Sequence, residues 1–209
     1  MKHLTALFIV FLLSFTSYSQ NAKELLNEVN KKVNSYENIA IDFKYGLHNK
    51  SANLSQETNG NAYLAGEKYM LNLIGTTQIF NGDKLYVISD EDEEINISTP
   101  TSDDSFSPSK MLSFYQKGYH SKMDIIQNVN GREIQYVKLT PVKDDPEVKS
   151  ILLGIDKVTK HIYKLIISQH NTTEVTITVN QFKTNQPLSD TLFSFDKSKY
   201  SGYYINNLD

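Results

Sequence analysis

The sequence predicts a mainly β protein, built as one meandering antiparallel sheet that curls around a core and is accompanied by two helices. Three patterns support this: a helical repeat near the N-terminus, a strict alternation after it, and a long succession of strand-like runs separated by turn residues. The 209 residues are enough for one domain with a sizeable core. No internal repeat or dividing linker is evident in the sequence.

The first helix is predicted from an apolar stripe with helical spacing. Leu25, Val29 and Val33 fall at positions i, i+4 and i+8, and the other sides of the segment carry charged residues. Asn21 is a suitable N-cap, and Glu24 three residues later approximates a capping box. This helix is therefore expected to bury one side.

The strands are predicted from a change of period. Ile39, Ile41 and Phe43 alternate with small or polar residues, which is typical of a strand with one buried face. Further strand-like runs lie near 56–65, 68–74, 77–80, 84–89, 94–99, 122–129, 133–140, 149–156, 161–169 and 173–183. Asn-Gly pairs at 81–82 and 130–131 are typical of hairpin turns, so neighbouring runs are expected to pair antiparallel.

A short second helix is predicted to interrupt the strands. Ser107 can cap it and Pro108 suits its first position. Met111, Leu112 and Tyr115 then give it an apolar side. This helix could cover part of the concave face of the sheet.

The N-terminus predicts export. Residues 1–19 have the layout of a secretory signal peptide: Lys2 in a short basic start, an apolar run over Leu4–Phe15, and small residues before a cleavage site at Gln20. The apolar run is shorter than the roughly 20 residues that a membrane-spanning helix needs. The mature protein is expected to be a single domain, 20–209, that is soluble in the periplasm. It has no cysteine, so neither disulfides nor a lipid-modified cysteine are expected.

Composition narrows the classes of function. The formal net charge is −3 and no basic cluster occurs, which argues against nucleic acid as a partner. The 5 histidines are scattered, and the sequence contains no phosphate-binding glycine loop, nucleophile elbow or dinucleotide fingerprint. The acidic run 90–94 fits a solvated hairpin loop better than a calcium site. We therefore expect neither an enzyme nor a bound metal or cofactor, although carboxylates for glycoside hydrolysis could lie far apart in the sequence.

The apolar faces of the sheet and helices admit two interpretations. If the side chains fit tightly, these faces form a plain core. If the fit is loose, they form a pocket for an acyl chain. The pattern alone leaves both open.

Seven short segments, in order along nearly the whole mature chain, carry a family resemblance. They are the opening helix with Ile39–Phe43, the strand Gln56–Leu64 with its glycine before an aromatic, Lys68–Leu71, the turn region Ile79–Val87, Ser107–Leu112, the leucine-threonine-proline strand end in Tyr136–Pro141, and the closing phenylalanine motif in Leu188–Phe195. Together they resemble the LolA-like family of outer-membrane lipoprotein carriers.

The resemblance implies a half-open antiparallel barrel covered by the N-terminal helix and a short inner helical lid. Its hydrophobic cavity is expected to hold the acyl chains of a lipoprotein client. The carrier is expected to receive this client from an inner-membrane ABC-type release complex and to bring it to the outer membrane. The resemblance does not specify the acceptor there. A carrier of a free lipid or glycolipid on the same fold is the alternative. A monomer is expected for a shuttle.

The expected cavity lining supplies apolar surface and takes no part in a reaction. It consists of Val29, Val33, Ile39, Ile41, Phe43, Tyr69, Leu71, Leu85, Met111, Leu112 and Tyr115. The sequence departs from one branch of the family, whose members carry an arginine at the turn after the strand that here ends in Tyr63 and Leu64. Ala65 and Gly66 occupy that turn here, so no arginine lock is carried over.

Overall fold

Strands dominate the computed structural model, which describes residues 17–100 and 107–209. The helices are α1 (Ser17–Val33) and α2 (Pro108–Met111), with 3₁₀ turns at Phe114–Gln116, Asp190–Phe193 and Lys197–Tyr200. The strands are β1 (Ile39–Asn49), β2 (Leu54–Ala65), β3 (Lys68–Leu73), β4 (Thr76–Phe80), β5 (Leu85–Ser89), β6 (Glu94–Ser98), β7 (Tyr119–Val129), β8 (Arg132–Pro141), β9 (Val148–Asp156), β10 (Ile162–Gln169), β11 (Thr173–Thr184) and β12 (Tyr204–Asn207). The predicted signal segment lies outside the described residues, apart from 17–19.

One sheet contains all of these strands, in the order β12-β6-β5-β4-β3-β2-β1-β11-β10-β9-β8-β7. Consecutive strands pair antiparallel through short turns in both halves of the chain. The pair of β12 with β6 is parallel. The predicted fold class, mainly β with one antiparallel sheet and few helices, is thus confirmed.

The helices differ from the prediction in their ends. The first helix already includes Ser17, so Asn21 lies inside it and is not its N-cap. In the second, Ser107 Oγ accepts a hydrogen bond from the Lys110 amide as predicted. That helix stops after one turn, where the Ser113 amide donates 3.1 Å to the Lys110 carbonyl, three residues back, and the Ser113 hydroxyl donates 3.3 Å to the Ser109 carbonyl.

The chain divides into two compact units. The described part of the first unit comprises 17–33, 48–54 and 115–176, and that of the second comprises 34–47, 55–100, 107–114 and 177–209. Each unit has its own buried side chains, and each is described by itself.

The first unit has its core on one face of β8 and β9. The register pairs Val137 with Leu153 and Leu139 with Ile151, so their side chains lie on the same face. All four are almost fully buried. The helix α1 packs against β7, and the Gln116 amide donates 3.2 Å to the Leu26 carbonyl of this helix.

The second unit has a buried cluster on one face of β4, β5 and β6. Ile79, Ile88 and Ile95 form it, and the C-terminal segment packs over them. We call this segment, 195–205, the C-terminal cover. Its contact residues include Phe195, Tyr200, Tyr203 and Ile205. Stacking of Phe195 on Tyr86, at 4.6 Å between ring centroids, fixes the cover to β5.

Candidate functional site

The other face of the second unit's sheet is apolar and continuous across neighbouring strands. Ala62 pairs with Leu71, and Leu64 with Tyr69, so these four side chains lie on one side of β2 and β3. The register continues from Tyr69 to Phe80 and from Phe80 to Leu85. We call the face that carries these six residues the apolar face.

Phe43 of β1 also belongs to the apolar face, because its ring lies against Gly60. A Cβ atom added at Gly60 would come within 2.5 Å of Phe43 Cζ and 2.9 Å of the Asn72 carbonyl oxygen. Real Cβ contacts are not this short, so only glycine leaves room for the ring at this position. The absence of a side chain at Gly60 therefore allows the Phe43 ring to pack against the sheet.

The apolar face is buried at its centre and half-exposed at its rim. Ala62, Leu64, Tyr69 and Leu71 are buried, whereas Phe80 and Leu85 are half-buried. The helix α2 contacts β3, and Leu112, which follows it, is buried. Burial raises the pKa of the Tyr69 hydroxyl above its ordinary value of 10.0, because the charged phenolate is disfavoured on this face.

The structure distributes the predicted lining residues over both units. Val29, Val33 and Tyr115 belong to the first unit, and the remaining eight belong to the second. Most of the set is buried: Val29, Ile39, Ile41, Phe43, Tyr69, Leu71, Leu112 and Tyr115. Val33, Leu85 and Met111 are half-buried. Phe43, Tyr69, Leu71 and Leu85 share the apolar face, and their role as a lining stays a prediction.

Sequence reasoning missed three members of the apolar face: Ala62, Leu64 and Phe80. The first two alternate with the half-buried Asn61 and Tyr63, so the period of two in β2 was available as a signal. Phe80 needed the register of β3 with β4, where its ring lies 5.7 Å from that of Tyr69. No local pattern carries that information.

Two clefts, one in each unit, are bordered mainly by polar residues. The cleft in the second unit has a volume of about 570 Å³, and among the predicted lining residues only Phe43 borders it. The cleft in the first unit, about 520 Å³, lies along β7 and β8 and is bordered by residues such as His120, Lys122 and Lys138. Neither cleft corresponds to the apolar face.

The first unit also holds a buried carboxylate, Asp156. Burial disfavours its charged form, but hydrogen bonds of 2.9 Å from the Thr159 and Val158 amides, with Arg132 3.8 Å away, outweigh that effect. The pKa of Asp156 is therefore lowered below 3.8. The carboxylate closes the turn between β9 and β10, which is a structural role.

Asp156→Asn is expected to reduce stability near neutral pH by about 1–2 kcal/mol. Because the folded-state pKa is depressed, this stabilisation is complete well above 3.8 and is lost as the pH falls through the lower folded-state value. Urea denaturation of both proteins at about pH 7 and about pH 2.5 measures the difference. A variant that is equally destabilised at both pH values would show that the charge of Asp156 contributes nothing.

Two further properties bear on the chemistry available. Within 17–100 and 107–209, no three His, Cys, Asp or Glu side chains come together as a metal-binding group. In the same ranges, no helix combines the length and apolar character needed to cross a membrane.

Several solved structures are similar to this chain in fold. An uncharacterised conserved protein from Thermus thermophilus is similar in structure, with a TM-score of 0.60 and 10% identity, over 90% of this chain and 99% of that one. LprF from Mycobacterium bovis has a TM-score of 0.52 and 12% identity, and the match covers 82% of this chain and 96% of LprF. The LolA superfamily protein NE2245 from Nitrosomonas europaea has a TM-score of 0.44 and 10% identity, and the match covers 85% of this chain and 98% of NE2245. The resemblance to LolA-like proteins is confirmed as a likeness of fold.

A sequence profile gives the family. The profile described as sporulation protein YdcC-like matches residues 1–193, so the chain belongs to the YdcC-like family. No curated protein matches the chain in sequence.

Proposed function

We propose that this protein is a carrier in the cell envelope that binds the acyl chains of a lipoprotein on the apolar face of its second unit. The observation that carries the proposal is the apolar face itself, which joins a buried centre to a half-buried rim at Phe80 and Leu85. The half-buried rim gives an acyl chain a route from solvent onto the surface that would bury it. The shared fold with LolA-like proteins supports the same conclusion.

The energetics suit reversible binding. Burial of an acyl chain contributes about 0.8 kcal/mol per methylene, so roughly ten buried methylenes supply about 8 kcal/mol before the cost of association. Such an affinity protects the chain from water and still permits release without a covalent step. The residues of the apolar face supply surface only, and we therefore propose no enzymatic activity.

The proposed route follows from the predicted signal peptide. An exported carrier would act in the periplasm, receive its client from an inner-membrane ABC-type complex and deliver it to an outer-membrane acceptor that is not assigned. A free lipid or glycolipid is the alternative client, because an apolar face recognises the acyl chain and not the group attached to it.

Mass spectrometry of the protein purified from its own envelope tests the proposal. A near-stoichiometric acylated polypeptide would support a lipoprotein carrier, and a small lipid or glycolipid would support the alternative. A protein that holds no acylated species and binds no fluorescent fatty acid would contradict both.

Leu85→Glu is expected to weaken binding of a fluorescent fatty acid by about tenfold or more, because it places a charge on the rim of the apolar face. Leu85 is only half-buried, so the variant should still fold. Ile74→Glu is the matched control, since Ile74 is 64% exposed at the β3–β4 turn and lies outside the apolar face. If the two variants bound the fatty acid with equal affinity, Leu85 would not be part of the binding site.

A further inference from the structure

The face of the second unit that carries Ile79, Ile88 and Ile95 has a polar half as well. The C-terminal cover packs over the three isoleucines. The neighbouring part, on β2, β3 and the start of β4, presents Asn61, Asn72 and Thr77 instead, and these residues border the cleft of about 570 Å³. That volume lies within the range of small-ligand sites, roughly 300–1,000 Å³.

These three side chains form a hydrogen-bonded ladder across the strands. The register pairs Asn61 with Asn72 and Asn72 with Thr77. The Thr77 hydroxyl donates 2.8 Å to Asn72 Oδ1, and Asn72 Nδ2 donates 2.8 Å to Asn61 Oδ1. Among the described residues, Asn61 Nδ2 has no protein acceptor, so the ladder ends with a free amide group in the cleft.

A second ladder in the same unit shows the contrast. Asn206 Nδ2 donates 2.9 Å to Glu94 Oε1 and 3.2 Å to Asn96 Oδ1. Asn96 Nδ2 also donates 2.9 Å to Glu94 Oε1. The side-chain amides of Asn96 and Asn206 thus both donate to the Glu94 carboxylate. Asparagine is disfavoured in strands, and in the cleft ladder the terminal amide group, that of Asn61, has no acceptor among the described residues.

The walls of the cleft add acceptors. Asp42 and Asp90 border it, and the Tyr203 hydroxyl donates 3.1 Å to Asp90 Oδ1, which fixes that carboxylate. No lysine or arginine of the described residues borders the cleft, so its charge disfavours anionic ligands. Ile74, exposed at the hairpin tip, also borders it and offers apolar surface.

We propose that this cleft binds a neutral sugar. Amide donors beside carboxylate acceptors match adjacent hydroxyl groups, each of which both donates and accepts. Ile74 can contact the C–H face of a sugar ring. The ladder residues lie on the opposite face of the sheet from Ala62, Leu64, Tyr69 and Leu71, although Phe43 of the apolar face also borders the cleft.

Titration of the isotope-labelled full chain, followed by NMR, tests the site. The probes are maltotriose and tri-N-acetylchitotriose, with inorganic phosphate as the charged comparison. At least one saccharide is expected to shift the side-chain amide signals of Asn61 and Asn72 saturably, while phosphate leaves them unchanged. The proposal is overturned if neither saccharide gives saturable shifts up to about 20 mM, or if phosphate shifts the same signals.

Variants separate the ladder from its surroundings. Asn61→Ala is expected to weaken saccharide binding by about tenfold. Thr77→Val, which keeps the shape of the side chain and removes the hydroxyl that orients Asn72, is expected to weaken binding several-fold. Asn96→Ala, in the closed ladder, is the matched control and should bind as the unchanged protein does. Equal losses in Asn61→Ala and Asn96→Ala would also overturn the proposal.

Discussion

Replacing Ile88 by alanine is expected to lower the free energy of unfolding by about 2–5 kcal/mol. Ile88 is only 1% exposed and lies between Ile79 and Ile95 beneath the C-terminal cover. Truncation leaves a cavity that a sheet on one side and stacked aromatic rings on the other cannot easily collapse. Urea denaturation followed by tyrosine fluorescence measures the loss.

Ile74→Ala is the matched control for this prediction. The side chain of Ile74 is 64% exposed, so its truncation should change the stability by no more than about 0.5 kcal/mol. If Ile88→Ala were as mild as Ile74→Ala, the cluster under the C-terminal cover would not be a packed core.

Gly60→Ala is expected to destabilise the second unit by about 1–3 kcal/mol. The added Cβ would meet the Phe43 ring at 2.5 Å and the Asn72 carbonyl oxygen at 2.9 Å, so the ring must leave its position. Chemical denaturation gives the stability, and aromatic NMR signals report the displacement of the ring.

A double-mutant cycle identifies the cause of the Gly60 effect. In a Phe43→Leu background, Gly60→Ala should cost less, because the shorter side chain can move aside. Part of the cost should persist, since the Asn72 carbonyl oxygen belongs to the backbone and cannot yield as a side chain can. Strictly additive losses would show that Phe43 and Gly60 do not constrain each other.

The sequence predicts those parts of the structure that local periodicity determines. Alternation identified Ile39, Ile41 and Phe43 as one buried side of β1, and all three are buried. The Asn-Gly pair at 130–131 correctly marked the turn between β7 and β8, where both residues have positive φ. In each case the signal lies within a few residues of the feature.

Features that depend on distant pairing could not be predicted in this way. β12 has four residues and ends in two asparagines, so nothing local marks it as a strand; it forms because Tyr204–Asn207 pair with Glu94–Ile97. The ladder from Asn61 to Thr77 likewise needs the register of three strands. The end of α2 at Met111 was likewise not predicted, because the apolar stripe continues to Tyr115 and does not mark that end.

The parallel pairing of β12 with β6 has a consequence for synthesis of the chain. The strand that completes this edge is translated about a hundred residues after its partner. Until the C-terminal cover leaves the ribosome, Ile79, Ile88 and Ile95 lack Phe195, Tyr200 and Tyr203 to pack against. The second unit therefore reaches its final packing only after these late residues emerge.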